Sequence, residues 1–284
     1  INNGSWKSRE DFTRIINQTN IYKIIKPTTL QNGIKRALAT GDFGIKHTNS
    51  NKVGVAQVLN RLTYIASLSH LRRINTPIDK SGKLIPPRKL HNTSWGFICC
   101  AETPEGQSVG VVKNLSYLTH VTIASNPRPI LDIIYALDDF KPLDNCQPKE
   151  LYDMVKVFVN GRWIGIHFKP YELYNDLKAK KFQGIINIYT SIVFNYQSKR
   201  IHIRCEGGRL MRPVLRIKDN DTILNKHIVD DIKKKKLVWN DLLVNHKIKE
   251  SAIEYIDPDE QNVSMIAIND KQLKKVGKYI FHYT

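Results

Sequence analysis

The sequence predicts a multi-domain α+β chain, because segments of helical period and segments of strand period occupy different stretches of one long polypeptide. Val55, Val58, Leu59, Leu62, Ile65 and Ala66 recur at i, i+3, i+4, i+7 spacing, the mark of an amphipathic helix. Farther on, MVKVFVNGRWIGIH (154–167) alternates on both sides of Asn160-Gly161, a pair that favours a two-residue hairpin turn. With 284 residues, the chain has room for two or three modest cores.

Taken in order, residues 1–39 read as helical in pieces. Trp6, Phe12, Ile15 and Ile16 fall at helical spacing, Pro27 interrupts, and Thr28-Thr29 is placed to cap a second helix through Leu30, Ile34 and Leu38. Gly41 and Gly44 flank a break, and 45–52 is polar. The amphipathic helix is expected from Val53, and 76–83 reads as a turn with Gly82 at its tip. After the hairpin, 171–181 reads as a helix and 191–205 alternates as strand. A lysine run (233–236), a helix over 239–244 and a strand over 263–268 follow. These changes of texture divide the chain at about 40–126, 127–218 and 219–275, with stubs at 1–39 and 276–284. The start at Ile1 without Met, and the strand-like 278–284 at the other end, read as a piece of something longer.

Lys and Arg number 44 against 26 Asp and Glu, a net charge of +18. Such a balance attracts polyanions, nucleic acid first among them, although a basic solvated surface would have the same composition. Charge is concentrated between 41 and 101, where Lys46, Lys52, Arg61, Arg72, Arg73, Lys80, Lys83, Arg88 and Lys89 face only Asp42 and Asp79. Several of these stand in or beside turns, where a guanidinium fork or an ammonium point charge can reach phosphate. No apolar run approaches the roughly 18–20 residues of a membrane span. Cys99, Cys100, Cys146 and Cys205 form no C-x-x-C pair and read as reduced and structural.

The stretch CCAETPEGQSVGVVKNLS (99–116) sets Glu102 and Glu105 around a Thr-Pro turn directly after an apolar run. Within it, 106–110 matches G-x-S-x-G, the nucleophile elbow of serine hydrolases. That elbow needs a strand running into its first Gly, and Pro104 stands where the strand should end. No phosphate-binding G-x-x-x-x-G-K-[ST] loop and no dinucleotide G-x-G-x-x-G occurs. The chain has polyanion-binding chemistry without a catalytic centre of its own.

RALATGDFG (36–44), GVAQVLNRLTYIASLSHLRRINTPI (54–78), PRKLHNTSWGFICCAETPEGQSVGVVKNLS (87–116) and GRLMRP (208–213) closely resemble the second-largest, beta-type subunit of multisubunit DNA-directed RNA polymerases, in its eukaryotic, archaeal or large-DNA-virus form. The likeness thins after 127 but continues through VKVFVNGRWIGIH and IEYIDPDEQNVSMIAI. It implies the end of a protrusion (1–39), a mixed helical and β fork (40–126), two small α/β external domains (127–218 and 219–275) and the first residues of a hybrid-binding region (276–284). It implies fork loops at 45–52 and 76–83 near the RNA–DNA hybrid and downstream DNA. Glu105 and Gln107 would support the bridge helix and trigger loop of the largest subunit, with the turn as a rigid bracket. A competing placement pairs Glu102 and Glu105 with Arg88 or Arg72. Catalytic magnesium would be held by the assembled enzyme through ligands outside this chain, so no metal ligand and no catalytic residue is assigned within it. Implied partners are the largest and other polymerase subunits, template DNA, the hybrid and nucleoside triphosphates, with no membrane. The implied location is intracellular: the nucleus of a eukaryotic cell, or for a large DNA virus the host nucleus, cytoplasm or virion. A stand-alone basic nucleic-acid-binding protein without catalysis is the alternative reading.

Overall fold

A computed structural model describes residues 18, 21–22, 25–43, 54, 56–76, 78, 82, 84–219, 221–268, 272 and 281–283. It divides into two compact units, 1–83 and 84–284. The pieces expected at Trp6–Ile16, the loop at 45–52 and most of the 76–83 turn lie outside the described residues.

In the first unit, helix α1 (Pro27–Thr40) starts two residues earlier than a cap at Thr28 predicts. Pro27 does not interrupt it but occupies its first turn, after Lys26 as N-cap. A proline at that position gives up only an N–H that has no helical partner. Gly41 ends the helix at φ 68°, and a Cβ there would stand 2.5 Å from the Ala56 carbonyl oxygen, so only glycine fits. Helix α2 (Tyr64–Leu71) is shorter than the periodicity from Val53 predicts. Thr63 caps it, its hydroxyl accepting from the Ala66 N–H at 3.1 Å. Side chains hold the preceding segment out of the helix: Asn60 Oδ1 accepts from the Leu62 N–H, and the Asn60 N–H donates to His70 Nδ1. Val58 and Leu62 are correspondingly exposed. Strand β1 (Arg73–Asn75) follows.

The second unit opens with two 3-10 turns, Pro86–Arg88 and Asn92–Ser94, a third at Gly106–Ser108, then β2 (Val112–Asn114) and β3 (His120–Val121). Next come α3 (Arg128–Tyr135), β4 (Phe140–Pro142), α4 (Pro148–Asp153), β5 (Val155–Val159), β6 (Arg162–His167), α5 (Pro170–Phe182), β7 (Ser191–Asn195) and β8 (Arg200–Arg204). The five strands order as β4-β6-β5-β8-β7, antiparallel except for the parallel pair β5–β8. Asn160 (φ 47°) and Gly161 (φ 79°) make the expected hairpin turn, both residues taking the positive φ a type I′ turn requires. Val157, Val159, Ile164, Ile201 and Ile203 turn one sheet face to Ile130 and Ile134 of α3 and Leu173 and Leu177 of α5, and this is the larger core.

Strand β9 (Leu210–Lys218) is the spine of a second sheet, with β10 (Asp221–Thr222), α6 (Lys226–Lys233), β11 (Ile253–Ile256), α7 (Pro258–Val263), β12 (Met265–Ala267) and β13 (Phe281–Tyr283) after it. Along its nine residues β9 pairs antiparallel with β3, β11, β13 and β10. Of the helix expected at 239–244, a 3-10 turn Trp239–Leu242 forms. Of the strand expected at 263–268, Met265–Ala267 forms, with Val263 closing α7 instead.

A buried ionic joint ties α5 to β11 and α7. Lys178 pairs with Glu254 and, at 2.7 Å, with Glu260, while Lys181 reaches Glu254 at 3.1 Å and the Tyr255 carbonyl at 3.0 Å. Glu260 also accepts from the Ile192 N–H at 3.1 Å, which brings β7 into the joint. Burial pulls the Lys178 proton affinity down, but the two carboxylates outweigh it and raise its pKa well above the ordinary lysine value. Two cations matched by two anions leave this site without net charge, the condition under which ions are tolerated inside a protein. Among the described residues no helix is long and apolar enough to cross a membrane.

Candidate nucleic-acid interface

Residues 99–116 form a braced turn. Cys99 N–H donates to the Asn114 carbonyl, and Ile98 bridges Leu115, so the two arms run antiparallel. Thr103 holds the tip. Its hydroxyl donates to the Val112 carbonyl (3.0 Å) and accepts from the Gly110 N–H (2.9 Å). Asn114, 2% exposed, donates from Nδ2 to the Glu102 carbonyl. Neutral groups with fixed geometry thus hold the acidic turn rigid.

Arg88 belongs to this bracket as well. Its Nη1 donates to the carbonyls of Gln107 (2.6 Å) and Val109 (2.9 Å). Gly110, at φ 68°, lets the chain lie against the Arg88 backbone, where any Cβ would collide with the Arg88 carbonyl. The bracket therefore uses part of a guanidinium that the sequence marks as phosphate-binding. Glu105 and Gln107 stay exposed on the crest. Glu105 heads the 3-10 turn without a side-chain capping bond, and among the described residues it forms no ion pair, with Arg88 or any other cation. The G-x-S-x-G match has no elbow. A 3-10 turn occupies 106–108, no strand runs into Gly106, and β2 follows where a helix would be needed.

In the first unit, Arg61 and Arg73 are exposed and Arg72 is half-buried at the end of α2. The segment before α2 is braced through His70, whose Nε2 lies 2.9 Å from Gln57 Oε1, and through the Ser67 hydroxyl, which donates to the Asn60 carbonyl at 2.7 Å. Lys89 is exposed in the second unit. Lys46, Lys52, Lys80 and Lys83 lie outside the described residues. The structure thus brings together Arg88, Gln107 and the turn bearing Glu105. Thr103 and Asn114 are the bracing residues that charge-based reading passes over; a threonine and an asparagine flanking a turn were the available signal.

Among the described residues no group of three or more His, Cys, Asp or Glu side chains is placed to hold a metal ion.

Two segments match family models for this class of protein: residues 57–121 match RNA polymerase Rpb2, domain 3, and residues 157–218 match RNA polymerase Rpb2, domain 4. The chain is also similar, over about nine-tenths of its length, to second-largest subunits of eukaryotic and viral polymerases. It is 38% identical over 255 residues to the DNA-directed RNA polymerase II subunit RPB2 of Encephalitozoon cuniculi, covering 89% of this chain and 22% of that protein. It is 35% identical over 258 residues to DNA-directed RNA polymerase II subunit 2 of Arabidopsis thaliana, covering 90% and 21%. It is 36% identical over 263 residues to DNA-directed RNA polymerase subunit 2 of Acanthamoeba polyphaga mimivirus, covering 91% and 21%. The chain spans about a fifth of the length of these relatives. The resemblance to the second-largest polymerase subunit is borne out, and the observed mixture of helices and several sheets agrees with the α+β class.

Proposed function

We propose that this chain is part of the second-largest subunit of a DNA-directed RNA polymerase, a nucleotidyltransferase that works as an assembled multisubunit complex. The observation that carries this reading is the likeness over nine-tenths of the chain to subunits of that name. In that assembly residues 40–126 act as the fork, with 127–218 and 219–275 as the external domains. The partners are the largest subunit and other subunits, template DNA and the RNA–DNA hybrid, with nucleoside triphosphates reaching the complex, at an intracellular location. Magnesium serves the assembled enzyme; the donor set among the described residues does not fit it, and its ligands belong outside this chain.

The mechanism assigned to these residues is positioning. Lys46, Lys52, Arg61, Arg72, Arg73, Lys80, Lys83, Arg88 and Lys89 contact hybrid or downstream phosphates, which favours binding of any sequence and weakens with salt. Glu105 and Gln107 offer a carboxylate and an amide to moving elements of the largest subunit. Such a contact needs a crest that does not yield, and the Thr103, Asn114 and Arg88 bonds supply it.

A photo-crosslinking residue placed at 73 or 105 of the full-length subunit tests this within the assembled polymerase on a nucleic-acid scaffold. Position 73 is expected to cross-link to nucleic acid and position 105 to the largest subunit, while a control at exposed Lys149 does neither. Equal yields from all three positions would defeat the proposal.

A further inference from the structure

Arg212 of β9 is an anomaly. It is 6% exposed, yet among the described residues it forms no ion pair. Its Nε donates to Gln261 Oε1 at 2.8 Å, and Gln261 in turn donates from Nε2 to the Trp95 carbonyl at 3.4 Å. Its Nη2 is buried and has no hydrogen-bond partner. The guanidinium lies over the Phe97 ring, 5.7 Å from the centroid. Gly96 (φ 76°) makes room for it, since a Cβ there would stand 2.5 Å from Arg212 Cδ and 2.7 Å from Nε. Burial lowers the Arg212 pKa, yet a guanidinium stays charged throughout the physiological range.

A buried cation normally has a buried anion beside it, because an unpaired charge away from water is costly. Here Arg212 instead lines a cavity of about 280 Å³, whose other walls are Trp95, Gln261, Ser264, Ile266 and Ile268. Trp95 and Ile268 are 61% and 60% exposed, so the cavity opens between apolar lips. Among the described residues no lysine and no second arginine lines it.

From this geometry we propose that the Arg212 cavity is a docking site for a single acidic side chain of a protein partner, its carboxylate taken by the Arg212 guanidinium and its aliphatic stem by Trp95, Ile266 and Ile268. Charge complementarity and shape select that occupant. One buried cation matches one carboxylate, and apolar walls suit a hydrocarbon stem. A nucleic-acid backbone brings a phosphate at every step and is held by arrays of cations, whereas among the described residues Arg212 is the one cation lining this cavity. The inference does not depend on the polymerase assignment, because it rests on Arg212 and its cavity walls and uses neither the braced turn nor the basic side chains of 41–101.

The test uses the 284-residue chain with 15N-labelled arginine, following the side-chain Nε–H resonances by NMR. The Arg212 signal is assigned by its loss in Arg212→Lys, and by its selective perturbation in Ser264→Ala should the lysine variant fail to fold. N-acetyl-glutamate methylamide is expected to shift it saturably, in the millimolar range or tighter. N-acetyl-glutamine methylamide and dimethyl phosphate should bind at least about tenfold more weakly, about 1.4 kcal/mol. Absence of a saturable shift overturns the proposal. Equal binding of the glutamine probe would make the cavity merely apolar, and stronger binding of the phosphate diester would make it a nucleic-acid contact; either overturns it as well.

Discussion

The ionic joint at Lys178, Lys181, Glu254 and Glu260 and the acidic turn at 102–105 both concentrate charge, but they use it in opposite ways. In the joint the charges are buried, mutually neutralised and bonded across four elements. In the turn the carboxylates are exposed, while a threonine, an asparagine and one arginine nitrogen do the holding. A strongly shifted proton affinity is often read as the sign of a functional site. Here it marks a mechanical connection, and the residues proposed for partner contact are the unburied ones. Rigidity built on backbone carbonyls, a hydroxyl and an amide leaves the carboxylates unburied; rigidity built on ion pairs consumes both charges.

The contrast is broken most forcefully at Glu260. Glu260→Gln keeps the shape but leaves two lysines facing one carboxylate, and unfolding in urea should show a loss of roughly 3–5 kcal/mol. A loss under about 1 kcal/mol would mean that the joint relaxes to admit water. The pH dependence of the joint has a definite sign. The native Lys178 pKa lies above its ordinary 10.5, so its contribution is complete below that value. It is lost as pH rises through the native pKa, at up to about 1.4 kcal/mol per unit. Urea midpoints measured across the alkaline range should fall in the parent chain and fall less steeply in Lys178→Met. Identical slopes would remove Lys178 as the cause.

At the turn the expected effects are smaller. Thr103→Val removes one acceptor and one donor at the tip, leaving the Gly110 N–H without its partner, and should cost about 1–2 kcal/mol. Hydrogen exchange at the Gly110 amide should accelerate more than at Val157 in the larger core. Smallest of all, Glu105→Gln should change stability by no more than about 0.5 kcal/mol, as for an exposed substitution. In a reconstituted polymerase it should nevertheless alter the rate or fidelity of nucleotide addition. Lost stability with unchanged elongation per assembled enzyme would turn Glu105 into a structural residue and erase the contrast.

What could be read beforehand follows the range of the interactions. The 160–161 turn was legible because two adjacent residues decide it through their own backbone preferences. The start of α2 was not, because Asn60 and Gln57 are held by His70, 10 and 13 residues away, and apolar spacing is silent about side chains that compete with the helix. The joint was illegible for the same reason at greater range: its lysines and glutamates stand 73 to 82 residues apart. At the turn, TPEG was visible as a motif and Pro104 rightly argued against an elbow. That Arg88 would be drawn into the bracket was not visible, since its acceptors are backbone carbonyls that no residue type announces.

Strand β9 carries a practical warning for anyone dividing this polypeptide. The second family match ends at residue 218, where β9 also ends, and that coincidence invites a cut. Yet β10, β11 and β13, which cover most of β9, all come later in the chain. A recombinant piece stopped at Lys218 would present a long stretch of naked ladder, with buried Val214 and its neighbours turned to water. Such an edge recruits other chains. Inclusion bodies obtained from that truncation would report on where the cut fell and not on the foldability of the five-stranded domain.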